Sequence, residues 1–183
     1  TASAQFWDDE PNILAGRDLA LGGTWLGVTK NGRFAAVTNY RNPNQPKGNL
    51  SRGALVSDFL RGNDSVLDYL QKVEMDADNY TGFNLLVGDF GTEHDELAYF
   101  SNRGGEIKIL DAGVYGLSNA FLDSPWQKVL KGKSGLAKII AEKGEMSLDS
   151  LFAFLQDRTF AKDEELPETG VGLERERILS SMF

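Results

Sequence analysis

Asn39 and Asn119 each end a β-prone run, Ala36-Val37-Thr38 and Gly116-Leu117-Ser118. An asparagine amide at a strand end can donate its N–H to the oxyanion that develops in acyl transfer. It can equally cap the turn that follows. Ser101-Asn102-Arg103 is a third polar cluster of the same kind. Arg17 and Asp18 lie among apolar and glycine positions, and neighbours in an extended segment point to opposite faces. One of them can orient backbone or a ligand carboxylate, or both can belong to structural ion pairs. Trp7, Trp25 and Trp126 can line a pocket or fill a core. The glycines of Ala15-Gly16-Arg17-Asp18 and Gly22-Gly23-Thr24-Trp25 lack dinucleotide or P-loop spacing, so tight turns are expected there. Thr1 could be an N-terminal nucleophile with its own amine as base, but Ala2-Ser3-Ala4 does not read as a strand that would hold it.

Composition narrows the chemistry. The 183 residues suit one domain, and 41% apolar with 25% charged content is ordinary for a globular protein. Lysine and arginine total 19 against 27 acids, a net charge of -8 that repels a phosphate backbone, so no nucleic-acid partner is expected. There is no run of eighteen apolar residues, so no membrane span is expected, and Thr1 to Arg17 does not read as a basic, hydrophobic signal peptide. With no cysteine and one histidine, His94, disulfides, thiolate sites and histidine clusters are excluded for these residues, and no metal or cofactor is expected. The chain opens on Thr1 without methionine and stops at Phe183 in an apolar stretch, so it is expected to be part of something longer.

Positioning these residues falls to elements the pattern makes legible. Thr24–Thr29 and Phe34–Tyr40 flank Asn31-Gly32, which predicts a β-hairpin. A helix capped by Ser51 is predicted from Leu55 and Phe59 and ends at Gly62. A second, capped by Asp64, carries Val66, Leu70 and Val73 on one face. Strands are predicted at Phe83–Val87, Leu97–Ser101, Glu106–Leu110 and Val114–Ser118. Helices follow around Leu136, Ile139 and Ile140 and around Leu148, Leu151, Phe152 and Leu155. Asp163-Glu164-Glu165 is expected to be an exposed loop, and Glu174 to pair with Arg177. Strands, helices, strands and helices in that order give an α+β fold with antiparallel sheet.

Several blocks then resemble one family. Phe6-Trp7, Ile13 to Asp18, Gly22 to Val28, Gly32-Arg33-Phe34 and Thr38-Asn39-Tyr40-Arg41 are similar to the NRDE family, also called transport and Golgi organisation protein 2-like proteins. The resemblance continues through Ser51-Arg52-Gly53, Gly82 to Val87, Ser101-Asn102-Arg103, Gly116 to Asn119, Asp123 to Trp126, Leu166 to Gly170 and Leu179-Ser180-Ser181, and so spans 1–183 as one family-like domain. It implies an N-terminal nucleophile hydrolase-like αββα sandwich. In the family a cysteine after the initiator methionine would be the nucleophile. That segment and a later strand pair have no counterpart in this sequence.

In the related choloylglycine and penicillin V acylases two asparagines stand near the nucleophile. Asn119 resembles one position and Asn39 the other. On that basis Asn119 and Asn39 are the expected catalytic residues, with Arg17, Asp18, Trp25, Tyr40, Arg41, Asn102 and Arg103 as substrate contacts. The implied activity is that of a cytoplasmic amide (C–N) hydrolase or acyltransferase acting on a small amide or acyl substrate. The alternative is a non-catalytic binding or trafficking protein for an acyl chain or haem, in keeping with the family's association with lipid metabolism and the secretory pathway. His94 alone supplies a haem ligand poorly.

Overall fold

A computed structural model describes residues 1–91, 94–141 and 147–182. The chain forms two compact units, Thr1–Tyr40 with Gln45–Asp111, and Arg41–Asn44 with Ala112–Phe183. The architecture is α+β, as the sequence predicts.

The first unit is a seven-stranded antiparallel meander in sequential order: β1 (Ala2–Phe6), β2 (Ile13–Arg17), β3 (Leu26–Thr29), β4 (Arg33–Asn39), β5 (Phe83–Asp89), β6 (Glu96–Ser101) and β7 (Lys108–Ile109). The predicted hairpin is β3–β4, with Val28 opposite Phe34 and Leu26 opposite Ala36. Gly32 supplies the φ of +92° that this turn needs, a conformation other residues rarely adopt. One face of the sheet is covered by α1 (Arg52–Arg61) and α2 (Val66–Met75). Strand alternation sends Ile13, Ala15, Ala35, Val37, Leu85, Val87 and Phe100 to that side. There they meet Leu55, Val56, Phe59 and Leu60 of α1 and Val66, Leu70 and Val73 of α2. Gly27 is a close-approach position, because a Cβ there would lie 2.6 Å from Leu60 Cδ1.

The opposite face at β1–β3 carries Phe6, Leu14, Leu26 and Val28, all exposed. Leu14, Leu26 and Val28, with Trp25 and Phe34, bound a shallow apolar hollow of about 500 Å³.

The second unit holds α3 (Gln127–Ala141), α4 (Leu148–Leu155) and α5 (Leu173–Ile178). Among its described residues only Val129 and Glu176 are buried. No helix of the described residues is long and apolar enough to cross a membrane.

Several local expectations are corrected. Val114–Ser118 is a loop, not a strand. Asp123 closes it, its carboxylate accepting from the Gly116 N–H and its own N–H reaching the Gly116 carbonyl, both at 2.8 Å. Gly116 lies so close to α3 that a Cβ would sit 2.6 Å from Val129 Cγ1. The strand expected at Glu106–Leu110 shrinks to two residues, Lys108–Ile109, paired with Tyr99 and Ala98. Thr1 does lead into a strand: β1 forms from small, weakly β-prone residues because β2 pairs with it.

The cap of α2 is Ser65 rather than Asp64, its Oγ accepting from the Asp68 N–H at 3.1 Å, and Asp64 instead holds Lys72 at 2.7 Å. Ser51 precedes α1 without a side-chain cap bond. Asp163–Glu165 is a short 3-10 turn, and Arg177 pairs with Asp163 rather than with Glu174.

Because only one face of the sheet is covered by α1 and α2, Leu85→Ala is expected to cost about 2–5 kcal/mol. Val28→Ala on the other face is expected to stay within about 0.5 kcal/mol. Denaturant melts of the two variants check the contrast.

Candidate functional site

Arg41 is the centre of the second unit's polar cluster. Its Nη1 donates to Glu176 Oε2 at 2.7 Å, with the two side chains 9% and 4% exposed. Its guanidinium stacks on Trp126 at 4.7 Å. The other glutamate oxygen, Oε1, accepts from the Thr169 N–H at 3.0 Å and from the Thr169 hydroxyl. Glu176 lies in α5, which starts after Gly172 at φ +88°. Both carboxylate oxygens are therefore satisfied, as a buried charge requires.

Arg41 also binds Asn119 twice. Its backbone N–H donates to the Asn119 carbonyl at 2.6 Å and its Nη2 to Asn119 Oδ1 at 3.4 Å. Ser118 Oγ stands 3.5 Å from the same Oδ1. The amide oxygen of Asn119 thus faces the guanidinium, and its N–H₂ end is turned away from it.

Lys128 approaches Trp126 at 6.0 Å and donates from Nζ to the Leu179 carbonyl at the end of α5, at 2.8 Å. Burial first, and then the neighbouring Arg41 charge, hold its pKa below the ordinary lysine value, partly offset by Glu176.

The first unit carries the other expected residues. Asn39 is exposed at the end of β4. Arg17 grips Asp9 with two bonds, one of 2.7 Å, and stacks on Trp7 at 4.4 Å. That hydrogen-bonded arginine pulls the Asp9 pKa down. Asp18 makes a turn: its carboxylate accepts from Ala20 N–H at 2.9 Å, and its backbone pairs with Gly22 and Gly23. Trp25, 42% exposed, stands at the apolar hollow.

Asn102 is spent on backbone. Its Nδ2 donates to the Ala77 and Tyr80 carbonyls, and its Oδ1 accepts from the Phe83 N–H. Tyr40 and Arg103 come together at Gly82. The Tyr40 N–H donates to the Gly82 carbonyl at 3.0 Å, the Tyr40 carbonyl accepts from Gln45 Nε2, and Gln45 Oε1 accepts from Arg103 Nε at 3.1 Å.

The expected set is therefore divided, with Arg41 and Asn119 joined in one unit and Tyr40 and Arg103 in the other. Glu176, Lys128, Gln45 and Arg52 escape sequence reasoning. Glu176 sits in a charged helix, 135 positions from Arg41, and gives no local signal. The arginine of Ser51-Arg52-Gly53, one of the family-like blocks, was the available signal for Arg52. Among the described residues no group of three or more acids, histidines or cysteines could hold a metal ion.

The family model described as Transport and Golgi organisation 2 matches residues 1–183. The chain belongs to this family. The NRDE family suggested by the sequence is the same one. Among its relatives, the human Transport and Golgi organization protein 2 homolog is 38% identical over 173 residues, and the mouse Transport and Golgi organization 2 homolog 37% over 173. Each alignment covers 92% of this chain and 63% of the relative, so the chain spans under two thirds of their length. The Drosophila melanogaster Transport and Golgi organization protein 2 is 29% identical over 194 residues, 94% of this chain and 69% of the relative.

In this family member, Glu176→Ala would leave the Arg41 guanidinium buried without its counter-charge. It is expected to cost about 3–5 kcal/mol, as broken buried pairs do. Glu176→Gln keeps an acceptor and is expected to cost less. Hydrogen exchange at the Thr169 amide, monitored alongside a denaturant melt, checks the order of the two variants.

Proposed function

We propose that this chain contributes the oxyanion-stabilising residues of a cytoplasmic amide hydrolase or acyltransferase of the N-terminal nucleophile type, acting on a small amide or acyl substrate. The observation that carries this reading is the double hold of Arg41 on Asn119, through the backbone carbonyl and through Oδ1. A preorganised amide N–H is what a tetrahedral intermediate needs. A donor fixed before the reaction stabilises the developing charge without reorganising during it. Asn39 is the second proposed donor, by resemblance alone.

The attacking thiol would come from sequence outside these 183 residues, which contain no cysteine. The exposed Phe6, Leu14, Leu26 and Val28 support the further proposal that a second sheet covers this face, as in an αββα sandwich. Substrate contact by Arg17, Asp18, Trp25, Tyr40, Arg41, Asn102 and Arg103 is uneven on this geometry. Asn102 and Arg41 serve the protein's own groups, so they support the site rather than touch substrate.

The test is thiol-dependent hydrolysis of p-nitrophenyl acetate by the full-length protein, with Asn119→Ala as the variant. Loss of a principal oxyanion donor is expected to lower kcat on the order of a hundredfold with KM little changed. Unchanged turnover would overturn the catalytic role of Asn119. Saturable binding of a fatty acid with no thiol-dependent turnover at all would instead favour the non-catalytic alternative.

A further inference from the structure

Gly82, just before β5, has two arginine side chains close to it. Arg52, the first residue of α1, donates from Nη1 to the Gly82 carbonyl at 3.1 Å. Arg103, in the turn after β6, has its Nε 3.1 Å from the place a Cβ of Gly82 would occupy. Such a Cβ would also strike Gln45 Oε1, so glycine is what lets these side chains close on one point of backbone.

The two arginines are held in place. Arg103 Nε donates to Gln45 Oε1, and Gln45 is itself fixed by the Tyr40 carbonyl. Arg103 Nη1 lies 3.4 Å from the Asn102 carbonyl. The carbonyl that Arg52 binds also accepts the Tyr40 N–H.

What the arrangement lacks is negative charge. Among the described residues the other part-buried or buried arginines each meet a carboxylate: Arg17 meets Asp9, Arg33 meets Asp89 and Arg41 meets Glu176. Arg52 and Arg103 are part-buried, and neither has a carboxylate within ion-pair distance among those residues. Acids are not scarce, since 27 of them face 19 bases. Burial lowers the pKa of Arg52 with no acid offsetting it.

A guanidinium offers five N–H donors. Arg52 uses one on the protein and Arg103 two, among the described residues. Two forks with donors to spare and no counter-charge match the paired oxygens of an oxyanion.

We propose that Arg52 and Arg103, set about Gly82, form a binding site for the oxyanion head of a small ligand, a carboxylate or a phosphate. The site stands on first-unit residues only and does not depend on acyl transfer at Asn119.

The test is a titration of ¹⁵N-labelled chain with inorganic phosphate and, separately, with acetate, against sodium chloride at matched ionic strength. Saturable shifts of the Gly82 and Arg103 amides are expected with phosphate or acetate and not with chloride. Phosphate alone acting identifies a phosphate site, and acetate alone a carboxylate site. Arg52→Gln and Arg103→Gln should each weaken binding tenfold or more, while Arg175→Gln on exposed α5 leaves it unchanged. Arg103→Lys, which keeps the charge and loses the fork, should weaken it as well. Because the wild-type shifts need no variant, a substitution that unfolds the chain does not spoil the result. Absence of saturable shifts, or equal shifts with chloride, would overturn the proposal.

Discussion

A guanidinium cannot leave water without something to hold its charge, and both units are organised by that constraint. In the first, Arg33 is buried beneath the ends of α1 and α2. It stacks on Phe59 at 3.9 Å and donates to the carbonyls of Phe59 and Asp64. Its ion pair with Asp89, at 3.4 Å, is the looser part of that set. In the second, Glu176 of the Arg41–Glu176 pair is one of the two buried residues among those described, the other being Val129. Such a pair is a poor source of net stability compared with apolar packing, but it fixes geometry, since neither partner tolerates loss of the other. Asn119 owes its orientation to that rigidity.

The sheet obeys a different rule on each side. Toward α1 and α2 it is packed so closely that a Cβ on Gly27 would collide with Leu60 and crowd Ala15. Away from them, at β1–β3, leucine, valine and phenylalanine face outward, well beyond the scattered exposure usual on a surface.

Legibility in the sequence followed the range of the forces involved. The β3–β4 hairpin was legible because Asn31-Gly32 carries its turn locally, and α1 and α2 because their apolar residues recur at helical spacing. The loop at 114–118 differs from the strand its alternation suggests because the decisive contacts come from Asp123 and Val129 further along the chain. β1 is the converse case, since Ala2-Ser3-Ala4 has little strand character until β2 pairs with it.

At the polar sites, residue types pointed to Asn119 and Arg103, and the family resemblance to Arg41 and Tyr40. Their partners did not show themselves. Glu176 looks like any acid of a charged helix, and Gln45 lies in a proline-bearing loop. Pairing across long stretches of chain leaves no trace in local pattern.

The three tryptophans are spread across these environments in a way that has its own use. Trp7 is sealed in with the Arg17 and Arg61 guanidinium groups near its ring, at 4.4 and 5.2 Å, Trp25 is partly wet, and Trp126 carries Arg41 on its face. Trp126 is the one indole of the second unit. Ultraviolet emission from a protein keeping only that indole would report the second unit without a label, its colour and quenching tracking whether the cation still lies against the ring.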